Sequence, residues 1–244
     1  MTRLRFLTAG ESHGPALVAT CEGLPAGLPV SVERFGDELA RRRMGYGRSP
    51  RMDFEVDKLE ILGGVRHGRT LGSPVAVVIH NTEWPKWTDA MAVEEPADPD
   101  AVAATGRGEP LTRPRPGHAD LVGSLKYGYT DVRNALERAS ARETAARVVI
   151  GTLAMDLLDA VGVRVLSHVV CIGDEAVGEP QLPTPEDRNA IDQDPVRCLD
   201  ADASARMQAR IDRAKQERDT LGGVIEIVVH GVPVGLGSHV QADR

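Results

Sequence analysis

The sequence predicts a layered domain of the α/β or α+β class. Three observations carry that expectation. Strand-like and helix-like patterns interleave along the chain. Hydrophobic residues make up 41% of the sequence, enough for a sizeable core, against 27% charged residues. No internal repeat or low-complexity block interrupts the pattern.

The elements follow from the N-terminus. Leu4 to Thr8 reads as a strand, followed by a Gly-rich turn, Gly10-Glu11-Ser12-His13-Gly14, and a second apolar run from Ala16 to Cys21. Ser31 has the chemistry of a helix cap before a segment reaching Arg43, with Val32, Phe35 and Leu39 on one face. An arginine- and glycine-rich loop occupies 41–51. Pro74 to Ile79 reads as a buried strand, with a continuous apolar run from Val75. The Pro-, Asp- and Gly-rich stretch from 93 to 116 reads as a long loop. A helix is expected from Ala141 to Val161, apolar over much of its surface and therefore buried. Val163 to Ile172 is strand-like, and 175–200 reads as a connection of low pattern content. A polar helix from Ala203 to Arg218 should stop at Gly222-Gly223, before a last strand, Val224 to His230. The whole reads as a single domain over 1–244 with flexible loops at 41–51, 93–116 and 175–200.

Composition excludes several function classes. The formal net charge of −7 argues against a general nucleic-acid binder, which needs an electropositive face. Aromatics at 3% leave little for base stacking. No apolar run reaches membrane-spanning length. Met1 to Phe6 lacks the apolar stretch of a secretory leader, so cytoplasmic residence is the expectation. The three cysteines, Cys21, Cys171 and Cys198, form no CxxC pair and read as reduced thiols. No histidine spacing suggests a metal site.

Four constellations can carry chemistry. Five arginines, Arg41, Arg42, Arg43, Arg48 and Arg51, crowd into one loop of an acidic protein. Guanidinium forks suit phosphate and carboxylate, although a solvated basic surface is the plainer alternative. Arg113-Pro114-Arg115-Pro116-Gly117-His118 sets two arginines and a histidine on a stiff loop, where His118 is either a proton donor or a structural residue. Ser140 and Glu143 have capping-box spacing, which places a helix N-terminus between Arg138 and Arg142. That makes either a phosphate cradle or a set of paired surface charges. Finally, Gly10-Glu11-Ser12-His13-Gly14 matches the G-x-S-x-G nucleophile elbow literally. Only one strand precedes it and a strand-like run follows, which is the wrong context. His13 is then a candidate acid or a turn residue. Trp84 and Trp87 read as core or rim packing.

Taken together, Gly10-Glu11-Ser12-His13-Gly14, the Arg-Arg-Met-Gly-Tyr-Gly-Arg loop at 42–48, the segment 112–120 and the segment 137–145 resemble the chorismate synthase family. Asp219-Thr220-Leu221-Gly222-Gly223 and Gly235-Leu236-Gly237-Ser238 fit as well, so the resemblance covers essentially the whole chain. It implies an α+β fold, a layered β-α-β sandwich, usually a homotetramer. The implied reaction is the anti-1,4-elimination of phosphate from 5-enolpyruvylshikimate 3-phosphate to give chorismate. Reduced FMN is the implied cofactor, with a separate flavin reductase as partner and NADPH acting only indirectly.

Site residues carry over by motif. His13 resembles the histidine that protonates the departing phosphate, and His118 the one that protonates reduced flavin. Arg138, Ala139 and Ser140 match the FMN-contacting motif. Arg42, Arg48, Arg51, Arg115 and Arg142 match the arginines that hold the substrate's anionic groups, and Arg42 and Arg48 are alternatively NADP contacts. Two departures stand out. Ser49-Pro50 replaces a glycine-rich pair after Arg48. The family's later Arg-Ser-Asp motif, with further FMN contacts, lies outside these 244 residues, so the chain alone is expected to be inactive or nearly so. A non-catalytic anion-binding or assembly module and a serine hydrolase remain the rival readings.

Overall fold

The computed structural model describes residues 3–48, 57–179 and 181–236. Ser49, Pro50 and Arg51 lie outside them. The described residues fall into two compact units, one within Met1–Arg42 and Glu55–Leu153, the other within Arg43–Phe54 and Ala154–Arg244.

The first unit is built on a four-stranded antiparallel sheet of order β1-β2-β6-β3. Its members are β1 (Arg5–Ala9), β2 (Ala16–Glu22), β3 (Lys58–Gly63) and β6 (Val75–His80). A short hairpin of β4 (Val65–Arg66) and β5 (Arg69–Thr70) links β3 to β6. The two-residue period of a strand puts Leu17, Ala19 and Cys21 on one face of β2, opposite Ile79, Val77 and Val75 of β6. All six are almost completely buried, and their partners on the other face only partly so. Glycine is required at the corner leaving β1: Gly10 has φ +98°, and a Cβ there would lie 2.3 Å from the Ala16 carbonyl oxygen.

Helix α1 (Val32–Arg43) begins at Ser31, whose hydroxyl accepts from the Arg34 N–H at 3.3 Å. Phe35 and Leu39 are buried as expected, but Val32 is 62% exposed because the packed stripe starts one turn later. The region read as an unbroken loop, 93–116, holds a short helix, α2 (Pro99–Ala104). Asp98 caps it, accepting from the Ala101 N–H at 3.0 Å, and Pro99 sits where its missing N–H costs nothing. Helices α3 (Asp120–Tyr127) and α4 (Arg133–Arg138) follow. The helix expected from Ala141 opens as a 3₁₀ turn over Ala141–Glu143 and becomes α5 (Thr144–Asp159), burying Ala145, Ala146, Val149, Ile150 and Leu153.

The second unit carries a three-stranded sheet of order β8-β7-β9, with β7 (Arg164–Ile172), β8 (Glu175–Ala176) and β9 (Gly223–His230). The connection read as patternless, 175–200, contains β8, a 3₁₀ turn at Pro185–Asp187 with a Thr184/Asp187 capping box, and α6 (Arg188–Gln193). Helix α7 (Ala201–Glu217) is capped by Asp200, which accepts from Asp202 and Ala203 N–H groups at 2.9 and 3.0 Å. Ala203 and Met207 pack with Val196 and Cys198, flanked by Val169, Ile172, Val177 and Ile211. The helix ends where expected, with Arg218, at φ +57°, turning the chain. Every strand pairing among the described residues is antiparallel, so the class is α+β and the α/β alternative falls. None of the helices described is long and apolar enough to cross a membrane.

Candidate active site

The Gly10–Gly14 turn is held from beneath by α4. Glu137, 2% exposed, takes the Ser12 N–H on its backbone carbonyl at 3.1 Å. Its carboxylate accepts the His13 N–H at 2.9 Å and faces His13 Nδ1 with both oxygens, also at 2.9 Å. The imidazole stacks on Trp87 at 4.1 Å between ring centroids and 25° between planes. Arg133 and Arg107 lie 5.5 and 5.9 Å from the centre of the same indole. Glu83 Oε2 is 4.0 Å from His13 Nε2. Ser12 is 2% exposed and β2, not a helix, follows the turn, so the nucleophile-elbow geometry is absent.

Asn81, at the end of β6, ties this turn to the start of α5. Its Nδ2 donates to the carbonyls of Glu11 and Gly14 at 3.1 and 2.8 Å, and its Oδ1 accepts from Arg142 Nε at 3.0 Å. Arg142 is 3% exposed and also pairs with Asp57. Its guanidinium therefore braces the turn from inside. Arg138 Nη2 donates to the carbonyl and hydroxyl of Thr8 at 2.8 and 3.0 Å. Ser140 caps the 3₁₀ turn weakly, accepting from Arg142 N–H at 3.4 Å. The reciprocal half of the expected capping box is not made, because the Glu143 carboxylate is taken by the Thr8 hydroxyl and Arg147, both at 2.7 Å. Burial alone would push the Glu143 carboxyl up; the Thr8 and Arg147 hydrogen bonds and the charges of Arg147 and Arg138 outweigh it and hold the carboxyl below its ordinary value.

Arg42, from the end of α1, reaches the same corner and donates to Thr144 Oγ1 at 2.9 Å and to the Ala141 carbonyl at 3.2 Å. Arg138, Ala139, Ser140, Ala141, Thr144 and Arg147 line a recess of about 350 Å³ with Glu143. Two guanidiniums and two hydroxyls suit a phosphate, and the one carboxylate among them is already balanced by arginine. A second recess of about 510 Å³ shares Arg138 and Ala139 and is rimmed by Tyr127 and Tyr129. The residues present therefore fit a phosphorylated aromatic cofactor such as FMN. Among the described residues no cluster of His, Cys, Asp or Glu could hold a metal ion.

His118 is set by a separate device. Its Nδ1 bonds the carboxylate of Asp120, which is fully buried at the first turn of α3 and accepts the Arg115 N–H at 3.0 Å. Arg115 Nε lies 3.7 Å from the same carboxylate. Burial pushes the Asp120 carboxyl up, but the Arg115 amide, the His118 hydrogen bond and the charges of both side chains prevail and hold it below its ordinary value. Ala119, next in the chain, lines the recess that Arg138 and Ala139 share. Arg48 belongs to the second unit, where the neighbouring Tyr46 donates to Asp212 at 2.9 Å and takes its amide bond to Pro195.

His13, Arg42, Arg138, Ser140 and Arg142 are thus linked through one continuous set of contacts in the first unit. The family profile described as chorismate synthase matches residues 4–244. This chain belongs to the chorismate synthase family. The chorismate synthase of Streptomyces coelicolor is 60% identical over 245 residues, covering 100% of this chain and 62% of the relative. That of Acidothermus cellulolyticus is 62% identical over 242 residues, covering 99% and 62%. A solved structure titled "Crystal Structure of Chorismate Synthase" superposes with a TM-score of 0.74 at 38% identity, over 99% of this chain and 62% of that one. The chain thus spans about 62% of the length of the curated chorismate synthases it matches. Sequence reasoning missed Glu137, Asn81, Asp120 and Trp87 as parts of the site. Glu137 and Asp120 nevertheless lay within segments already singled out, 137–145 and 112–120, and Trp87 had been read as core or rim packing.

Proposed function

We propose that this chain carries the site of a chorismate synthase, which eliminates phosphate and a ring proton from 5-enolpyruvylshikimate 3-phosphate. The observation that supports this best is the gathering of His13, Arg42 and Arg138 at one corner of an otherwise acidic protein. The reaction breaks the C–O bond to phosphate and a ring C–H bond, and forms a C=C bond. His13 protonates the departing phosphate, and its ring is held in one plane by Trp87. Arg42, Arg48, Arg51 and Arg115 bind the phosphate and carboxylates of the substrate. Arg142, inside the fold, acts on them through Asn81 and the His13 turn.

Arg138, Ala139 and Ser140 would hold FMN. Bound there in its reduced form, FMN would supply transient electron donation to the elimination. His118, its ring oriented by Asp120, holds a proton for the flavin. NADPH enters only through a separate flavin reductase. The assembled enzyme is a cytoplasmic homotetramer.

The test is anaerobic incubation of the complete gene product with chemically reduced FMN and 5-enolpyruvylshikimate 3-phosphate. Stoichiometric phosphate and chorismate are expected; no phosphate release would reject the assignment.

A further inference from the structure

We propose that Glu137 is the positioning residue of His13, fixing the ring in the Nδ1–H form so that protons are exchanged only at Nε2. The proposal deepens the reading of His13 as the proton donor to phosphate and rests on it. Three contacts carry it. The backbone carbonyl of Glu137 takes the Ser12 N–H, one carboxylate oxygen takes the His13 N–H, and both oxygens stand 2.9 Å from Nδ1. An ionised carboxylate can only accept, so Nδ1 must donate. A protonated carboxyl is a poor alternative. Its hydrogen would sit on the oxygen free of the amide bond, leaving the other oxygen's lone pairs against those of Nδ1 at the same short distance.

The side chain of Glu137 is 1% exposed, so water does not compete for these bonds. Free imidazole would place its single hydrogen on either nitrogen; here the choice is made by the fold. The ring plane is made independently, by the Trp87 stack and by the two arginines over that indole. Glu137 thus supplies the rotation about the ring axis and the tautomer, and Trp87 supplies the plane. The other ring nitrogen, Nε2, lies 4.0 Å from Glu83 and is the atom assigned to meet a leaving oxygen.

The isosteric variant Glu137→Gln gives a sharp forecast. The His13 N–H still demands an oxygen acceptor, so the amide oxygen must face it. The NH₂ group is then left facing Nδ1 beside that oxygen, so the ring no longer meets two acceptors and the Nδ1–H form loses its bias. E137Q should therefore let a substantial share of His13 carry its hydrogen on Nε2, with no lone pair there.

The experiment uses ¹⁵N-histidine-labelled complete gene product. His13 is assigned by its loss in H13N, and its two ring nitrogens are read at a pH where the ring is neutral. Wild type should show protonated Nδ1 and bare Nε2, and E137Q a mixture of the two forms. With circular dichroism unchanged, kcat for phosphate release by E137Q should fall about 10²-fold or more. KM for the substrate should stay within about threefold, since Glu137 itself touches no ligand. A change confined to stability would leave the tautomer alone. Protonated Nε2 in wild type, or an unmoved tautomer in E137Q, overturns the proposal and leaves the proton-donor reading standing. Full turnover by H13N overturns the proton-donor reading, and the role of Glu137 in turnover with it.

Discussion

Replacing Asn81 by alanine removes three hydrogen bonds at a position 5% exposed to solvent. The three are unequal. The Glu11 carbonyl also accepts the Gly14 N–H at 3.2 Å, so losing Asn81 costs it about 1 kcal/mol. The Gly14 carbonyl loses a 2.8 Å bond from a buried donor, worth about 1 kcal/mol or somewhat more. The Arg142 Nε bond involves a buried cation, and hydrogen bonds of that kind contribute about 1.5–3 kcal/mol. A water entering the polar gap returns part of the total, which leaves about 3 kcal/mol. For a chain of this size that is roughly 6–12 °C in Tm. Urea denaturation of Asn81→Ala beside wild type reads the loss directly. Asn81→Asp is the control. It keeps an acceptor for Arg142 but turns an oxygen toward two carbonyl oxygens, so it should not rescue. Asn81→Ala within about 0.5 kcal/mol of wild type would refute the account of Asn81 as the tie between the His13 turn and α5.

Two other variants test the structure elsewhere. Asp120 is held below the ordinary carboxyl value in the folded protein by the Arg115 amide and by His118, so its contribution is present above the unfolded carboxyl value and is lost as pH falls through the folded one. Asp120→Asn should be less stable than wild type at pH 7, and the gap should narrow in urea melts near pH 3; a gap independent of pH would contradict this. Arg218 ends α7 in the left-handed region, where a side chain is strained, and it is exposed. Arg218→Gly should gain about 0.5–1 kcal/mol in the same assay, and a loss of stability would mean that the side chain has a role its position does not reveal.

Much of the fold was legible because long elements carry long patterns. Strands β2, β6, β7 and β9 and helix α5 were placed to within a few residues, since period-2 alternation or a sustained apolar run marks each, and the polar helix α7 was placed as closely. Helices α2, α3, α4 and α6 were missed because six to eight residues hold less than two full periods. For α2 the Asp98-Pro99 start signal was present, but the surrounding Pro- and Gly-rich composition hid it. At the site, His13, Arg138 and Arg142 were recognisable as chemistry-bearing types in compact motifs. Their partners were not. Glu137 meets a histidine 124 residues away, and such a contact leaves no local trace. The Ser140–Glu143 spacing shows the opposite failure, a correct local signal overruled when distant Thr8 claimed the carboxylate.

The tryptophan beneath His13 has a practical consequence. The chain contains two tryptophans, and Trp87 lies in van der Waals contact with the imidazole. An excited indole passes an electron to a touching imidazolium, so its emission dims whenever that ring is charged. In a Trp84→Phe background, the fluorescence of Trp87 becomes an unlabelled optical gauge of the state of His13. It can be followed on the millisecond scale in a stopped-flow cell while anions or substrate arrive.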